Sequence, residues 1–295
     1  MAKTNAKADQ MYQEANTLEN KWSLFSKESN MTNAADLFNK AANMYKANEL
    51  YEKAADAFGR AYKLHKKLGN SSDANRALQN QAMCSAKGPH PEEAVDALKE
   101  VVDTYIENGS FSQAAKTQQE IAKVYESQKQ YALAAEAYQV AAGHYEMDNR
   151  PASALPFRIS AAKLLALDSK YLEAYQQFDK IGMEALNGGA MKYGAKEHFV
   201  NAIICQIAND DEIGAEKSIE KYRSVDQSVS SERDYNLMES IIGAVKENDG
   251  EKLDQVIASY AQMKQVDEFR RQLFKSIKQK MDDNANADRS EERRV

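Results

Sequence analysis

The chain has 295 residues, 43% hydrophobic and 28% charged, with a formal net charge of −6. That balance suits a folded chain rather than a disordered one, and the acidic excess disfavours non-specific nucleic-acid binding. No run approaches the ~18 apolar residues that span a bilayer, and the opening MAKTNAKADQ lacks the apolar core of a signal peptide. A cytoplasmic protein is expected, with any membrane contact peripheral. The 12 Gly and 4 Pro leave long stretches free to be helix. Cys84 and Cys205 show neither metal-ligand spacing nor a disulfide framework, which points to a reducing compartment.

In chain order, the first distinctive stretch is NKWSLFSK, residues 20–27. Trp22, Leu24 and Phe25 cluster between Lys21 and Lys27. An aromatic flanked by lysines suits the headgroup boundary of an anionic membrane. The alternative is that Trp22 packs beneath the first helical hairpin.

A repeat follows. The segments YEKAADAF, PEEAVDAL, YALAAEAY and YLEAYQQF start at Tyr51, Pro91, Tyr131 and Tyr171, forty residues apart. Their fourth residue is Ala54, Ala94, Ala134 and Ala174, and their eighth is Phe58, Leu98, Tyr138 and Phe178. A small residue lets a neighbouring helix approach, and the large one four positions on fills the groove on the same face. Second helices are predicted half a period later, at Ser72–Cys84, from Phe111, and at Met191–Ala208. Gly69-Asn70 and Gly109-Ser110 mark the turns, because Gly accepts the left-handed conformation that ends a helix. A degraded fifth copy starts at Asp211, with Gly214 in the small-residue slot.

Helix pairs of this kind bury their apolar faces only by stacking. The expected fold is all-α: a TPR-like right-handed α-solenoid of antiparallel helical hairpins over residues 1–225. Helices predicted at 230–247, 250–263 and 266–281 form a C-terminal helical bundle, 226–281, and the polar stretch 282–295 is expected to be a flexible tail.

No phosphate loop, dinucleotide fingerprint, zinc-protease, nucleophile-elbow or CxxC motif is present. His65, His90, His144 and His198 are scattered, and nothing nominates a nucleophile or an acid–base pair. Neither catalysis nor a cofactor or metal is expected.

Several segments, in order and spacing, resemble the soluble NSF attachment proteins. They are AANMYK from Ala41, YIENGSFSQAAKT from Tyr105, KYGAK from Lys192 with Phe199 and Cys205 after it, SERDYNLM from Ser231 and LFKSIKQK from Leu273. The likeness runs from about residue 10 to residue 281.

The resemblance implies a non-enzymatic adaptor in vesicle-mediated transport and membrane fusion. Such an adaptor binds an assembled SNARE four-helix bundle through basic side chains and recruits the AAA ATPase NSF through its C-terminal end. On that likeness Lys87, Lys116 and Lys196 are SNARE-contact positions. A further basic position falls at Pro156, with Arg158 close enough to substitute. Trp22, Leu24 and Phe25 correspond to the family's membrane-touching loop. Asp210 and Glu247 correspond to acids that face the ATPase, whereas Gly243 and Lys246 replace others. The terminal Glu291 and Glu292 supply acid, offset by Arg293 and Arg294, and the family's penultimate Leu is missing. Two alternatives stay open: a generic helical-repeat scaffold that binds a peptide or helical partner, and a diverged member or mimic that occupies SNAREs without efficient ATPase stimulation.

Overall fold

The computed structural model describes residues 2–21, 26–88, 91–187, 194–225, 229–263 and 266–292. Among them are fourteen α-helices and no strand. In order these are α1 (Ala2–Asn20), α2 (Lys27–Ala47), α3 (Tyr51–Lys67), α4 (Ser71–Ser85), α5 (Pro91–Glu107), α6 (Phe111–Ser127) and α7 (Tyr131–Met147). Then follow α8 (Pro151–Leu167), α9 (Tyr171–Asn187), α10 (Ala195–Ala208), α11 (Glu212–Val225), α12 (Val229–Lys246), α13 (Gly250–Met263) and α14 (Glu268–Glu292). The helices form two compact units, Met1–Ala154 and Leu155–Val295.

In the first unit each helix packs on the next in sequence, α1 on α2 through α6 on α7. The repeat residues make these contacts. Ala54, Ala94 and Ala134 are buried, and Phe58, Leu98 and Tyr138 fill the space beside them. Phe38 and Tyr12 meet edge to face at 5.2 Å in the first hairpin.

One turn geometry recurs. After α3, the Asn70 N–H donates to the His65 carbonyl at 3.0 Å and Gly69 takes φ +75°. The same six-to-one bond links Ser110 to Tyr105, Gln130 to Tyr125, Arg150 to Tyr145 and Lys170 to Leu165. Among the described residues the left-handed residue is glycine only at Gly69 and Gly109. Glu49, Lys129, Asn149, Ser169, Asp210 and Asn248 adopt it with a side chain. The paired carbonyls satisfy the helix end well enough to hold a conformation that costs a non-glycine residue about 1–2 kcal/mol.

In the second unit α10 is the central helix. It packs on α9, α11, α12 and α14. Its run Phe199–Ala208 is buried on every side, Asn201 and Gln206 included. A helix enclosed in this way has no polar face, which is why the amphipathic period fades here. Gly214 is crowded first by its own turn. A Cβ there would meet the Asp211 carboxylate, whose Oδ1 accepts the Gly214 N–H at 2.9 Å and caps α11. The backbone is helical through Glu292, across most of the stretch read as a tail, with Asp282, Asp283 and Asn284 exposed.

His144 on α7 and His198 on α10 are packed with ring nitrogens that find no hydrogen-bond partner, both of them in His144. Burial holds each imidazole below its ordinary value of 6.5. The unfolded chain therefore takes up these protons at higher pH than the folded chain. Stability is full above about pH 6.5 and is lost as pH falls through the depressed folded values. The unfolding midpoint is expected to be lower near pH 5.5 than near pH 7.5, with a shallower slope in His144→Leu. An unchanged slope in that variant would remove His144 from the account.

Candidate functional site

The basic residues fall into two kinds. Lys116 is exposed on α6 and has no ion-pair partner among the described residues. Lys87 is exposed in the turn after α4. Its ammonium lies 4.8 Å from the Tyr51 ring centre and 3.4 Å from the Tyr51 hydroxyl, and it has no ion-pair partner among the described residues.

Arg158 and Lys196 are clamped. Arg158 donates from both terminal nitrogens to Glu184 at 2.6 and 3.1 Å, joining α8 to α9. That guanidinium holds the Glu184 carboxyl below its usual range. Lys196 lies 3.0 Å from Asp234, joining α10 to α12, and both side chains are mostly buried, at 20% and 12% exposure. These two cations are spent on holding the second unit together. A sequence shows a lysine but not the carboxylate that another helix brings to it.

Register exposes a basic position missed in the sequence. Lys116 is the sixth residue from Phe111, and its equivalents forty residues apart are Arg76, Pro156 and Lys196. Second helices thus carry a cation at one repeated place, interrupted by Pro156 inside α8. Arg76 is 69% exposed and pairs only with Asp73, one turn before it. The forty-residue spacing was the signal that would have found it.

Trp22, Leu24 and Phe25 lie outside the described residues. Their flanks, Lys21 and Lys27, are exposed, and with Lys67, Leu18, Met31 and Leu64 they line one open pocket between α1, α2 and α3.

Two of the acidic positions, Asp210 and Glu247, lie at one end of the second unit, where α10, α12 and α14 meet around a depression. Asp210 sits on its rim, 2.7 Å from Lys280 of α14. Lys280 also donates to the Ala208 carbonyl at 2.7 Å and so satisfies the end of α10. Glu247, beside the rim residue Asn248, lies 2.6 Å from Lys252. Glu291 and Glu292 end α14, and their side chains lie outside the described residues.

No cluster of three metal-ligating side chains occurs among the described residues. Cys84 and Cys205 are buried, and burial pushes both thiols up, away from the nucleophilic form. None of the described helices is long and apolar enough to cross a membrane. What the described surface offers is fixed charge in defined register.

A sequence profile of the family described as "Soluble NSF attachment protein, SNAP" matches residues 5–282. The chain is 30% identical over 214 residues to a probable vesicular-fusion protein sec17 homolog of Neurospora crassa, covering 72% of this chain and 73% of that protein. It is 28% identical to the alpha-soluble NSF attachment protein of Vitis vinifera, covering 76% and 78% of the two chains. The identity is also 28% to the Saccharomyces cerevisiae protein of the same name, over 76% and 77%.

Proposed function

The chain belongs to the soluble NSF attachment protein family, and on that premise we propose that it is a non-enzymatic adaptor linking an assembled SNARE bundle to an NSF-type ATPase. The observation that carries the SNARE half is the repeated cation of the second helices. Arg76 and Lys116 hold it on exposed faces of successive hairpins, with Lys87 nearby in sequence. A helical bundle with an acidic surface meets such charges over several turns, which orients it and speeds encounter. Lys196 contributes chiefly by rigidity, because opening its mostly buried pair leaves Asp234 without its counter-charge, and Arg158 by its two-bond clamp on Glu184.

The ATPase half rests on the acidic end of the second unit. The pairs Asp210–Lys280 and Glu247–Lys252 are half exposed, and pairs of that kind are worth about 1 kcal/mol or less. They open readily to an incoming basic partner. Trp22, Leu24 and Phe25 are the proposed peripheral membrane contact. Leu24→Ser/Phe25→Ser should lose binding to anionic liposomes without loss of helicity, and retained binding would sink that assignment.

The direct test is capture of a soluble, assembled SNARE four-helix bundle. Wild-type capture should fall as salt rises, since exposed charges are screened. Arg76→Glu/Lys116→Glu should lower capture roughly tenfold at low salt, two reversed rim charges each costing a fraction of the coupling seen for close pairs. Capture that is insensitive to both salt and charge reversal would refute the basic-face reading and favour a scaffold for some other partner.

A further inference from the structure

The first helices of successive hairpins can be compared at one outward-facing register, the third, sixth, tenth, thirteenth and seventeenth residues. On α5 these are Glu93, Asp96, Glu100, Asp103 and Glu107, all exposed and all acidic. On α3 the same places hold three lysines, one arginine and one aspartate. On α7 they are Leu133, Glu136, Val140, Gly143 and Met147. A solvated helix face normally carries charge. Here three large apolar side chains at intervals of seven stand 43%, 42% and 61% exposed along one stripe of α7.

The repeat also shows what borders that stripe. Tyr62 and Lys66 of α3 both reach Glu100 of α5, at 3.1 and 3.7 Å. Forty residues on, the places of Tyr62, Lys66 and Glu100 are taken by Val102, Ile106 and Val140, all apolar. Ile106 is itself 36% exposed, so the apolar strip widens toward the acidic row. Glu93, Asp96, Asp103 and Glu107 have no ion-pair partner among the described residues.

We infer that the exposed face of α7, with the acidic row of α5 beside it, is a docking site for a basic amphipathic helix of another protein. Apolar residues at heptad spacing on the incoming helix cover Leu133, Val140 and Met147, and lysines or arginines along one flank meet the carboxylates. An anionic membrane or nucleic acid is repelled by that row. A second copy of this chain fits less well, because two of the four cations in its own basic row are engaged internally, Lys53 with Asp9 at 3.1 Å and Arg60 with Glu19 at 2.8 Å. The site is carried by first helices, whereas Arg76 and Lys116 lie on second helices, so it stands apart from the SNARE reading.

The test uses the full chain and a fluorescent synthetic helix of about 18 residues, with leucines seven apart and lysines on one flank. At near-physiological salt, saturable binding is expected to weaken roughly tenfold or more in Leu133→Ser/Val140→Ser/Met147→Ser, equivalent to about 1.4 kcal/mol. A similar loss is expected in Glu93→Gln/Asp96→Asn/Asp103→Asn/Glu107→Gln. A peptide of equal charge with serines for leucines should bind far more weakly. All substituted side chains are exposed, and unchanged melting of both variants is the folding control. Equal binding by the serine peptide, or wild-type affinity in either variant, overturns the proposal. So does wild-type self-association that the triple serine variant abolishes, which would give the face to a second copy.

Discussion

Arg270→Ala is expected to destabilise the second unit by about 3–5 kcal/mol, the summed cost of leaving two buried groups without hydrogen-bond partners and losing a charge-assisted bond. Arg270 is 5% exposed. Its Nε donates to Asn201 Oδ1 at 2.9 Å, one terminal nitrogen to the Tyr260 hydroxyl at 2.8 Å and the other to Glu197 Oε2 at 2.8 Å. One planar group thus joins α14 to α10 and α13. Truncation leaves a buried amide and a buried phenol without partners, in addition to the lost ion pair. Burial already pushes the Tyr260 hydroxyl up to about 12, so it cannot compensate by ionising. Arg270→Lys is expected to recover only part of the loss, because one ammonium cannot reach three acceptors set in a fork. Tyr260→Phe removes a single bond from a charged donor and should cost about 1.5–3 kcal/mol. Urea unfolding followed by helicity measures all three, and a cost below that of Tyr260→Phe for Arg270→Ala would refute the network. The same helix carries Lys280 to Asp210, so a loosened α14 should also disturb the acidic end on which the proposed ATPase recruitment rests.

What the sequence made legible follows from which forces leave a periodic trace. Close helix packing depends on side-chain volume, and volume repeats at Ala54, Ala94, Ala134 and Ala174, so hairpin count and register could be read directly. Turn chemistry was less legible. Gly69 and Gly109 announce a left-handed residue, but Lys129 and Ser169 adopt it because backbone bonds across the turn pay for the strain, and those bonds have no residue signature. Charge was least legible. Lys116 and Lys196 occupy the same repeat position, yet one is free to meet a partner and the other is held by Asp234 from a helix distant in sequence. Gly214 shows the same limit, since a Cβ there meets the Asp211 cap, a contact its repeat register does not announce.

Phe199→Ala should rank beside Arg270→Ala, at about 3–5 kcal/mol, because it empties the centre of the second unit. The ring is fully buried and stacks on Tyr222 with centroids 4.1 Å apart and planes 16° apart. Tyr222 in turn donates to Asp179 at 2.8 Å, so the stack ties α9, α10 and α11 together. Gly182 on α9 is bare for the same reason: a Cβ there would lie 2.5 Å from Phe199 Cε1. Gly182→Ala gains about 1 kcal/mol of helix propensity, but overpacking against an immobile ring costs about 1–3 kcal/mol, so net destabilisation is expected. The two positions should therefore be coupled. In Phe199→Leu the aromatic edge is gone, and adding Gly182→Ala should then be neutral or stabilising, giving a coupling of about 1–2 kcal/mol across the cycle. Strict additivity would mean that the ring moves aside freely. The small residue on α9 would then owe nothing to the aromatic stack that anchors α10 at the centre of the bundle.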